Sequence, residues 1–293
     1  MSKLLALNYS STNSTQGKVY LVGAGPGAAD LITVRGAKLL AKADVVFHDA
    51  LVEPEMLSLC PQAKLVAVGK RCGKLSSAQQ FINKRLVDAA QKYQAIVRLK
   101  GGDPMLFGRA DEEITALKEA GIVVEVVPGI TAALAGAASL QQSLTLRGIS
   151  RSVAFITLAQ QSSSSNENQA SLSQQPIANP HADTLVYYMG RKDAAKIAQQ
   201  LIADNQNHHA NTPVHILEAV STPRERIWNS TLAELADGKA NNWFDASSPA
   251  LIMIGEALKQ KTQQTNMSLE SPSPEIDNRL QDGEILSNSP RCA

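Results

Sequence analysis

Lys18-Val-Tyr-Leu-Val-Gly-Ala-Gly-Pro-Gly27 is the most informative stretch of this 293-residue chain. An apolar, β-branched run passes directly into glycine and proline, which predicts a strand, Lys18 to Val22, that ends in a tight turn. A helix from about Thr33 to Ala43 and a second strand, Asp44 to His48, are expected next. This order of strand, helix and strand is typical of βαβ units and predicts an α/β fold with a parallel sheet.

The same alternation continues along the chain. Further strands are predicted at Lys64 to Val68, Ala95 to Leu99, Val123 to Val127, Val153 to Thr157, Thr184 to Tyr188, Pro213 to Leu217, Glu225 to Asn229 and Ala250 to Ile254. Helical periodicity is found at Ser77 to Tyr93, Asp111 to Ala120, Thr131 to Ser139, from Ala194 to Ile202, and after the capping-box pair Thr231 and Glu234.

Changes in composition suggest the domain limits. We expect a polar N-terminal lead over residues 1–17, an N-terminal α/β domain over 18–129 that closes at Pro128-Gly129, and a C-terminal α/β domain over 130–258. Residues 160–183 are rich in Gln, Ser and Asn and have no apolar period, so we expect a flexible insertion there. Residues 259–293 are polar and are expected to form a disordered tail.

The overall composition excludes several classes of protein. Hydrophobic residues make up 44% and charged residues 19% of the chain, and the formal charge is +1. This balance gives no reason to expect nucleic acid or a membrane as a partner. The N-terminal apolar run is too short for a signal peptide, and Gly121 to Ala138 contains Glu125 and Pro128, so no spanning helix is predicted. Three widely spaced cysteines form no disulfide or zinc pattern, which favours the cytoplasm: Cys60, Cys72 and Cys292.

The glycine turn after the first strand has two interpretations. Gly23, Gly25 and Ala28 fit the spacing of a dinucleotide fingerprint, with Asp49 as the acid that would bind the ribose. Pro26 opposes that interpretation because it removes a backbone N–H from the turn that should face a pyrophosphate. A loop that lets another ligand approach the backbone is therefore favoured over both the fingerprint and a plain turn.

Two further loops follow predicted strands at the edge where open α/β sheets bind ligands. Gly101 and Gly102 expose backbone groups, and Asp103 offers a carboxylate, although capping of a turn would equally explain Asp103. Thr131 begins a helix and is equally explained as its N-cap. The five histidines have no metal-ligand spacing with one another or with cysteine, so no metal site is predicted: His48, His181, His208, His209 and His215.

Taken in order, the motifs of the chain resemble those of the tetrapyrrole methylase family. The resemblance covers about Lys18 to Leu258. It is carried by Val22 to Gly27, Asp44 to Asp49, Val68 to Lys70, Arg98 to Arg109, Glu112-Glu113, Val127 to Ala132, Tyr188 to Gly190 and Ser248 to Ile252. It implies two unlike α/β domains with the cofactor cleft between them, which is the class III methyltransferase fold, and a homodimer.

The resemblance also implies an activity. The expected reaction is the S-adenosylmethionine-dependent C-methylation of uroporphyrinogen III at two pyrrole carbons, which gives precorrin-2 for sirohaem or cobalamin synthesis. A methylase of a later precorrin and a non-catalytic tetrapyrrole or cofactor binder are the alternatives. Asp49 and Lys70 match the proposed proton acceptor and donor of the family. The positions that match contacts to S-adenosylmethionine are Pro26, Gly101, Gly102, Asp103, Leu106, Thr131, Ala132 and Met189.

The chain departs from the family pattern at four places that we expect near the cleft: Leu146, Leu158-Ala159, Val220, and Ala50 within Asp49-Ala50-Leu51. The side chain of Val220, which replaces a glycine, is expected to crowd the adenosine side of the cleft.

Four cationic side chains are expected to meet the carboxylates of the substrate: Lys70, Arg71, Arg109 and Arg147.

Overall fold

Five parallel strands form the first of two sheets in the structure, a computed structural model that describes residues 16–68, 75–158 and 180–259. The strands are β1 (Lys18–Gly23), β2 (Val45–His48), β3 (Lys64–Ala67), β4 (Ala95–Lys100) and β5 (Val124–Val127), in the order β3-β2-β4-β1-β5. The helices of this half are α1 (Val34–Leu40), α2 (Pro54–Leu57), α3 (Leu75–Ala90) and α4 (Ala110–Glu119).

Both faces of this sheet are covered, as expected for parallel strands. Val19 and Leu21 of β1 pack in an apolar cluster with residues of α3 and α4, while Val22 packs on the other face with α1 and α2. Thr33 begins α1, because its hydroxyl accepts a hydrogen bond from the N–H of Gly36 at 3.1 Å. The carboxyl ends of all five strands therefore meet at one edge of the sheet.

The second sheet is mixed. It contains β6 (Val153–Thr157), β7 (Thr184–Tyr188), β8 (Pro213–Glu218), β9 (Arg226–Thr231) and β10 (Ala250–Ile254), in the order β6-β7-β10-β8-β9. Only β6 and β7 pair in parallel among these described strands. Helix α5 (Ala132–Leu140) covers one face, and α6 (Ala194–Asp204) and α7 (Leu232–Ala236) cover the other.

These elements confirm the predicted α/β fold, and most boundaries lie within a few residues of the predicted ones. The prediction of a parallel sheet is wrong for the second half, where most neighbouring strands are antiparallel. Apolar periodicity does not distinguish a parallel from an antiparallel neighbour. Both sheets belong to one compact unit, so the division of this unit into two domains at residue 129 stays a prediction.

The structure describes only the carboxyl end of the predicted flexible insertion, residues 180–183. Ala182 is buried, and the carboxylate of Asp183 accepts hydrogen bonds from the N–H groups of Arg151 and Ser152 at 2.8 and 3.0 Å. These bonds hold the pKa of Asp183 below its usual value.

The rest of the predicted insertion, the tail from residue 260 and nearly all of the N-terminal lead lie outside the described residues. Within the described ranges, no helix combines the length and the apolar character needed to cross a membrane.

Candidate active site

Three glycine-containing loops meet at the carboxyl edge of the parallel sheet. Gly25, after β1, and Gly102, after β4, exchange two backbone hydrogen bonds of 3.2 and 2.7 Å. Gly129, after β5, approaches so closely that a Cβ on it would lie 2.3 Å from the carbonyl oxygen of Gly102. The loops therefore pack backbone against backbone, which only glycine permits at Gly129.

This packing rules out the dinucleotide fingerprint. The N–H of Gly25 already donates to Gly102, and the chain makes a short 3₁₀ turn at Ala29–Leu31 before α1 begins at Val34. The free N–H groups of a helix start, which a pyrophosphate would need, therefore do not follow the glycines directly. Asp49, the expected ribose acid, is instead bound to Arg98.

Asp103 ties the loop after β4 to the loop after β5. Its Oδ1 accepts a hydrogen bond from the N–H of Met105 at 2.8 Å, and its Oδ2 accepts one from the N–H of Gly129 at 2.9 Å. The turn-capping interpretation of Asp103 is thus confirmed. A carboxylate oxygen can accept more than one hydrogen bond, so Asp103 retains capacity for a ligand donor.

The remaining predicted cofactor positions lie in the same loops. Pro26, Gly101, Leu106 and Ala132 are half-buried, and a Cβ on Gly101 would lie 3.2 Å from that of Leu51 in the loop after β2. The structure thus brings the loops after β1, β2, β4 and β5 together. Lys70 and Arg71 lie outside the described residues.

Tyr188, at the end of β7, connects this group to the second sheet. Its hydroxyl accepts a hydrogen bond from the N–H of Ala133 at 3.1 Å and lies 2.6 Å from Oγ1 of Thr131. Thr131 is the N-cap residue of α5 by position, but its side chain makes no cap within the helix, and Tyr188 satisfies an N–H of the first turn instead. Met189 follows in the left-handed region, with φ of 57°, and is exposed.

Sequence reasoning missed the role of Tyr188 because the bond is formed between residues far apart in the chain. The Tyr188 ring also packs edge-on against Phe107, with centroids 5.1 Å apart, and against Phe155 at 6.1 Å. Burial raises the pKa of Tyr188, although its bonds to Thr131 and Ala133 oppose that shift. The hydroxyl is therefore neutral at physiological pH.

Two of the departures from the family pattern lie elsewhere than expected. Val220 is only 4% exposed and packs in the apolar cluster beneath α5, so its side chain does not crowd the cleft. The backbone of this segment does approach the loop after β1, where the N–H of Ala28 donates to Oγ of Ser221 at 3.1 Å. Leu158 packs against the cluster on the opposite face of the second sheet. Ala159 lies outside the described residues, and Leu146 lies in a half-buried turn.

A buried network of charges lies beneath the loop after β2. Arg98 donates to Oδ1 of Asp49 at 2.6 Å and to Oε1 of Glu113 at 3.1 Å. Lys100 contacts both carboxylate oxygens of Glu113 at 3.2 Å. Burial and the neighbouring charge of Arg98 lower the pKa of Lys100. In this network only Asp49 reaches solvent, with 28% of its side chain exposed.

The described residues contain no group of three or more His, Cys, Asp or Glu side chains arranged to hold a metal ion. The polar groups at the described part of the site include the backbone N–H of Ala133, the carboxylate of Asp103 and the hydroxyl of Thr131. Such groups suit an organic molecule that carries its own reactive centre.

Residues 18–236 match the family described as Tetrapyrrole (Corrin/Porphyrin) Methylases. The chain belongs to this family. It is 44% identical over 255 residues to a siroheme synthase of Zymomonas mobilis, an alignment that covers 87% of this chain and 52% of that protein. The chain thus spans about half the length of this relative.

Two further relatives are matched over nearly their whole length. A uroporphyrinogen-III C-methyltransferase of Pseudomonas aeruginosa is 42% identical over 248 residues, which are 85% of this chain and 97% of that protein. The crystal structure of uroporphyrin-III C-methyl transferase from Thermus thermophilus complexed with S-adenyl homocysteine is 36% identical and has a TM-score of 0.67. It covers 83% of this chain and 94% of the other. These matches confirm the class III methyltransferase fold.

Proposed function

We propose that the chain binds S-adenosylmethionine between its glycine loops and the Tyr188-Met189 segment. We further propose that it methylates uroporphyrinogen III at two pyrrole carbons to give precorrin-2. The observation that carries the proposal is the convergence of the family's cofactor positions on one edge of the parallel sheet, where Gly102, Asp103 and Thr131 lie in adjoining loops. The nearly full-length similarity to a uroporphyrinogen-III C-methyltransferase supports the choice of substrate.

The residues present fit such a ligand. Among the described residues, a Cβ on Gly102 would meet only the Cα of Thr131, at 4.0 Å, so space is left beside this glycine. Asp103 lies next to that space and can accept a bond from an ammonium or a ribose hydroxyl. Gly101, Gly102, Asp103, Leu106, Thr131, Ala132, Met189 and Pro26 would hold the ligand.

The proposed chemistry divides between the ligand and the protein. When bound, S-adenosylmethionine supplies an electrophilic methyl group, so the protein need not activate a leaving group. The loops orient the reactants, and orientation alone can lower a barrier by about 7 to 11 kcal/mol. After methylation the ring system must lose a proton. Asp49 would accept it, and the position of its carboxylate at the carboxyl edge of β2, where it reaches solvent, supports this role.

The exposed arginines supply charge for an octacarboxylate substrate. Arg147 is exposed, and Arg109 donates two hydrogen bonds to Glu112 at 2.6 and 2.8 Å. Arg109 is therefore held in place before it meets a substrate carboxylate. Lys70 is proposed as the proton donor on the family's pattern alone.

Three broader features complete the proposal. The product would serve sirohaem or cobalamin synthesis, the active form would be a homodimer, and the enzyme would act in the cytoplasm. Cysteine spacing that fits neither a disulfide framework nor a zinc site supports this compartment. Sedimentation of the purified chain tests the dimer.

Calorimetric titration with S-adenosylhomocysteine tests the cofactor site. We expect the wild-type chain to bind. In Asp103→Ala the binding free energy should be weaker by about 1 to 3 kcal/mol, because a charged acceptor is removed and the Gly129 loop is released. Asp111→Ala is the matched control, since Asp111 is an exposed carboxylate in the first turn of α4. Unchanged affinity in Asp103→Ala would remove Asp103 from the site, and no binding by the wild type would refute the proposal.

A further inference from the structure

The guanidinium of Arg98 is fixed from several directions. Besides its bonds to Asp49 and Glu113, its Nη1 donates to the carbonyl oxygen of Leu99 at 3.1 Å. The Arg98 side chain is only 3% exposed. A planar group with this many fixed partners has one orientation, and a lysine ammonium in its place could not reach both carboxylates with the same geometry.

The network is electrically balanced but is a poor source of stability. Asp49 and Glu113 carry two negative charges, and Arg98 and Lys100 carry two positive charges. Buried ion pairs incur a desolvation cost that can exceed their mutual attraction, so apolar residues of similar volume would stabilise the fold about as well. Gln79 adds a further hydrogen bond to Oε1 of Glu113 at 3.2 Å, which fixes the carboxylate that in turn fixes Arg98. The geometric result of the network is the placement of Asp49.

Asp49 uses one carboxylate oxygen in this arrangement. Oδ1 is bound to Arg98, whereas Oδ2 makes no hydrogen bond to any part of the chain that the structure describes. The backbone N–H of Asp49 is held by the carbonyl oxygen of Leu99 at 3.3 Å. One oxygen thus anchors the carboxylate, and the other, which has no partner among the described residues, is available to a reacting group.

We infer that Arg98 is a positioning residue for methyl transfer, which holds Oδ1 of Asp49 so that Oδ2 accepts the proton released from the methylated ring. This inference rests on the proposed function. The ring carbon bonds to the methyl group as the carbon–sulfur bond breaks, which leaves the ring cationic. Loss of one proton, with the electron pair of its bond kept by the ring, restores neutrality, and the proton passes to Oδ2. Glu113 and Lys100 act through Arg98.

A double-mutant cycle on the full-length chain tests the inference. Initial rates of methyl transfer to uroporphyrinogen III are measured for the wild type, Asp49→Asn, Arg98→Lys and the double variant. We expect Asp49→Asn to lower kcat by about 10²-fold because the proton acceptor is lost. Arg98→Lys should lower kcat by about 10- to 100-fold through misplacement of the carboxylate, with KM nearly unchanged. The double variant should be no slower than Asp49→Asn, because Arg98 has no route to the reaction except through Asp49.

Controls separate positioning from a general structural effect. The affinity for S-adenosylhomocysteine should stay within about twofold of wild type in Arg98→Lys, whereas a distorted fold would weaken it. Arg226→Lys is the matched control, because Arg226 also stands beside a buried carboxylate, Glu218, at 3.7 Å, but in the second sheet. Its kcat should equal that of the wild type. If Arg98→Lys does not fold, Arg98→Gln combined with Glu113→Gln keeps the network neutral and replaces it in the cycle.

The outcomes distinguish this inference from the proposed function. The positioning role alone would be overturned if the wild type is active and Asp49→Asn is slow, but Arg98→Lys keeps the kcat of the wild type. A double variant much slower than Asp49→Asn would also overturn it, since Arg98 would then act by another route. No methyl transfer by the wild type would instead refute the proposed function.

Discussion

Tyr188→Phe removes one oxygen atom and, with it, the hydrogen bonds that join the end of β7 to the start of α5. The ring itself is unchanged, so its edge-on contacts with Phe107 and Phe155 should persist. The perturbation is therefore confined to the N–H of Ala133 and the hydroxyl of Thr131, which lose their common partner.

The expected magnitude follows from the burial of the two groups. Ala133 is fully buried, so its N–H is left without an acceptor, and an unsatisfied buried donor costs about 1 to 3 kcal/mol. Thr131 is half-buried and its hydroxyl can bond to water instead, so the loss of its bond to Tyr188 adds little to this cost. We expect the free energy of unfolding to fall by about 1 to 3 kcal/mol, and the melting temperature by about 2 to 4 °C for each kcal/mol.

Urea unfolding followed by circular dichroism measures this change, with an unaltered m value showing that the folded and unfolded states are otherwise comparable. Tyr20→Phe provides the matched control, because Tyr20 is also half-buried and its hydroxyl makes no hydrogen bond to the described residues. Equal stabilities of the two variants would refute the reasoning that Tyr188 caps α5.

Three further predictions concern other parts of the structure. Gly129→Ala should destabilise the chain more than Gly121→Ala in thermal melts, because the new Cβ would lie 2.3 Å from the carbonyl oxygen of Gly102. A Cβ on Gly121, at φ +73°, would meet no atom of the described residues within 4 Å and would incur backbone strain alone. The carboxylate of Asp245 accepts hydrogen bonds from the N–H and hydroxyl of Ser247 and from the hydroxyl of Ser248, and these bonds lower its pKa to about 2. The bonds should therefore stabilise the folded state above about pH 4, and this contribution should be lost as the pH falls toward 2. An NMR titration should therefore find the pKa of Asp245 raised in Ser247→Ala, and an unchanged value would contradict this cause. The ion pair between Arg224 and Glu53, 2.5 Å apart and partly exposed, should show a coupling energy of at most about 1 kcal/mol in a cycle of Arg224→Gln and Glu53→Gln.

Much of the first half could be predicted from the sequence because its signals are local. The apolar run and glycines from Lys18 to Gly27 specify a buried strand and a turn, and Thr33 caps the next helix as its position suggests. The short helix α2, which was not predicted, had one local signal, Pro54 at its first position. The antiparallel pairings of the second sheet had none, because the direction of a neighbouring strand leaves no trace in apolar periodicity.

The candidate site divides in the same way. The glycines and Asp103 could be found because their residue types are unusual after strands. The bond between Tyr188 and α5 and the pairing of Arg98 with Asp49 join residues 55 and 49 positions apart, so only tertiary packing reveals them. Val220 shows the converse error, since an expected obstruction of the cleft is a core residue.

Mass spectrometry of uroporphyrinogen III, incubated with the full-length chain and S-adenosylmethionine under reducing conditions, tests the central claim most directly. The account predicts a product that carries two added methyl groups, through a singly methylated intermediate, and a strongly reduced yield with Asp49→Asn. Tight binding of S-adenosylhomocysteine together with unmethylated uroporphyrinogen III would contradict the claim and identify the chain as a binder without methyltransferase activity on this substrate.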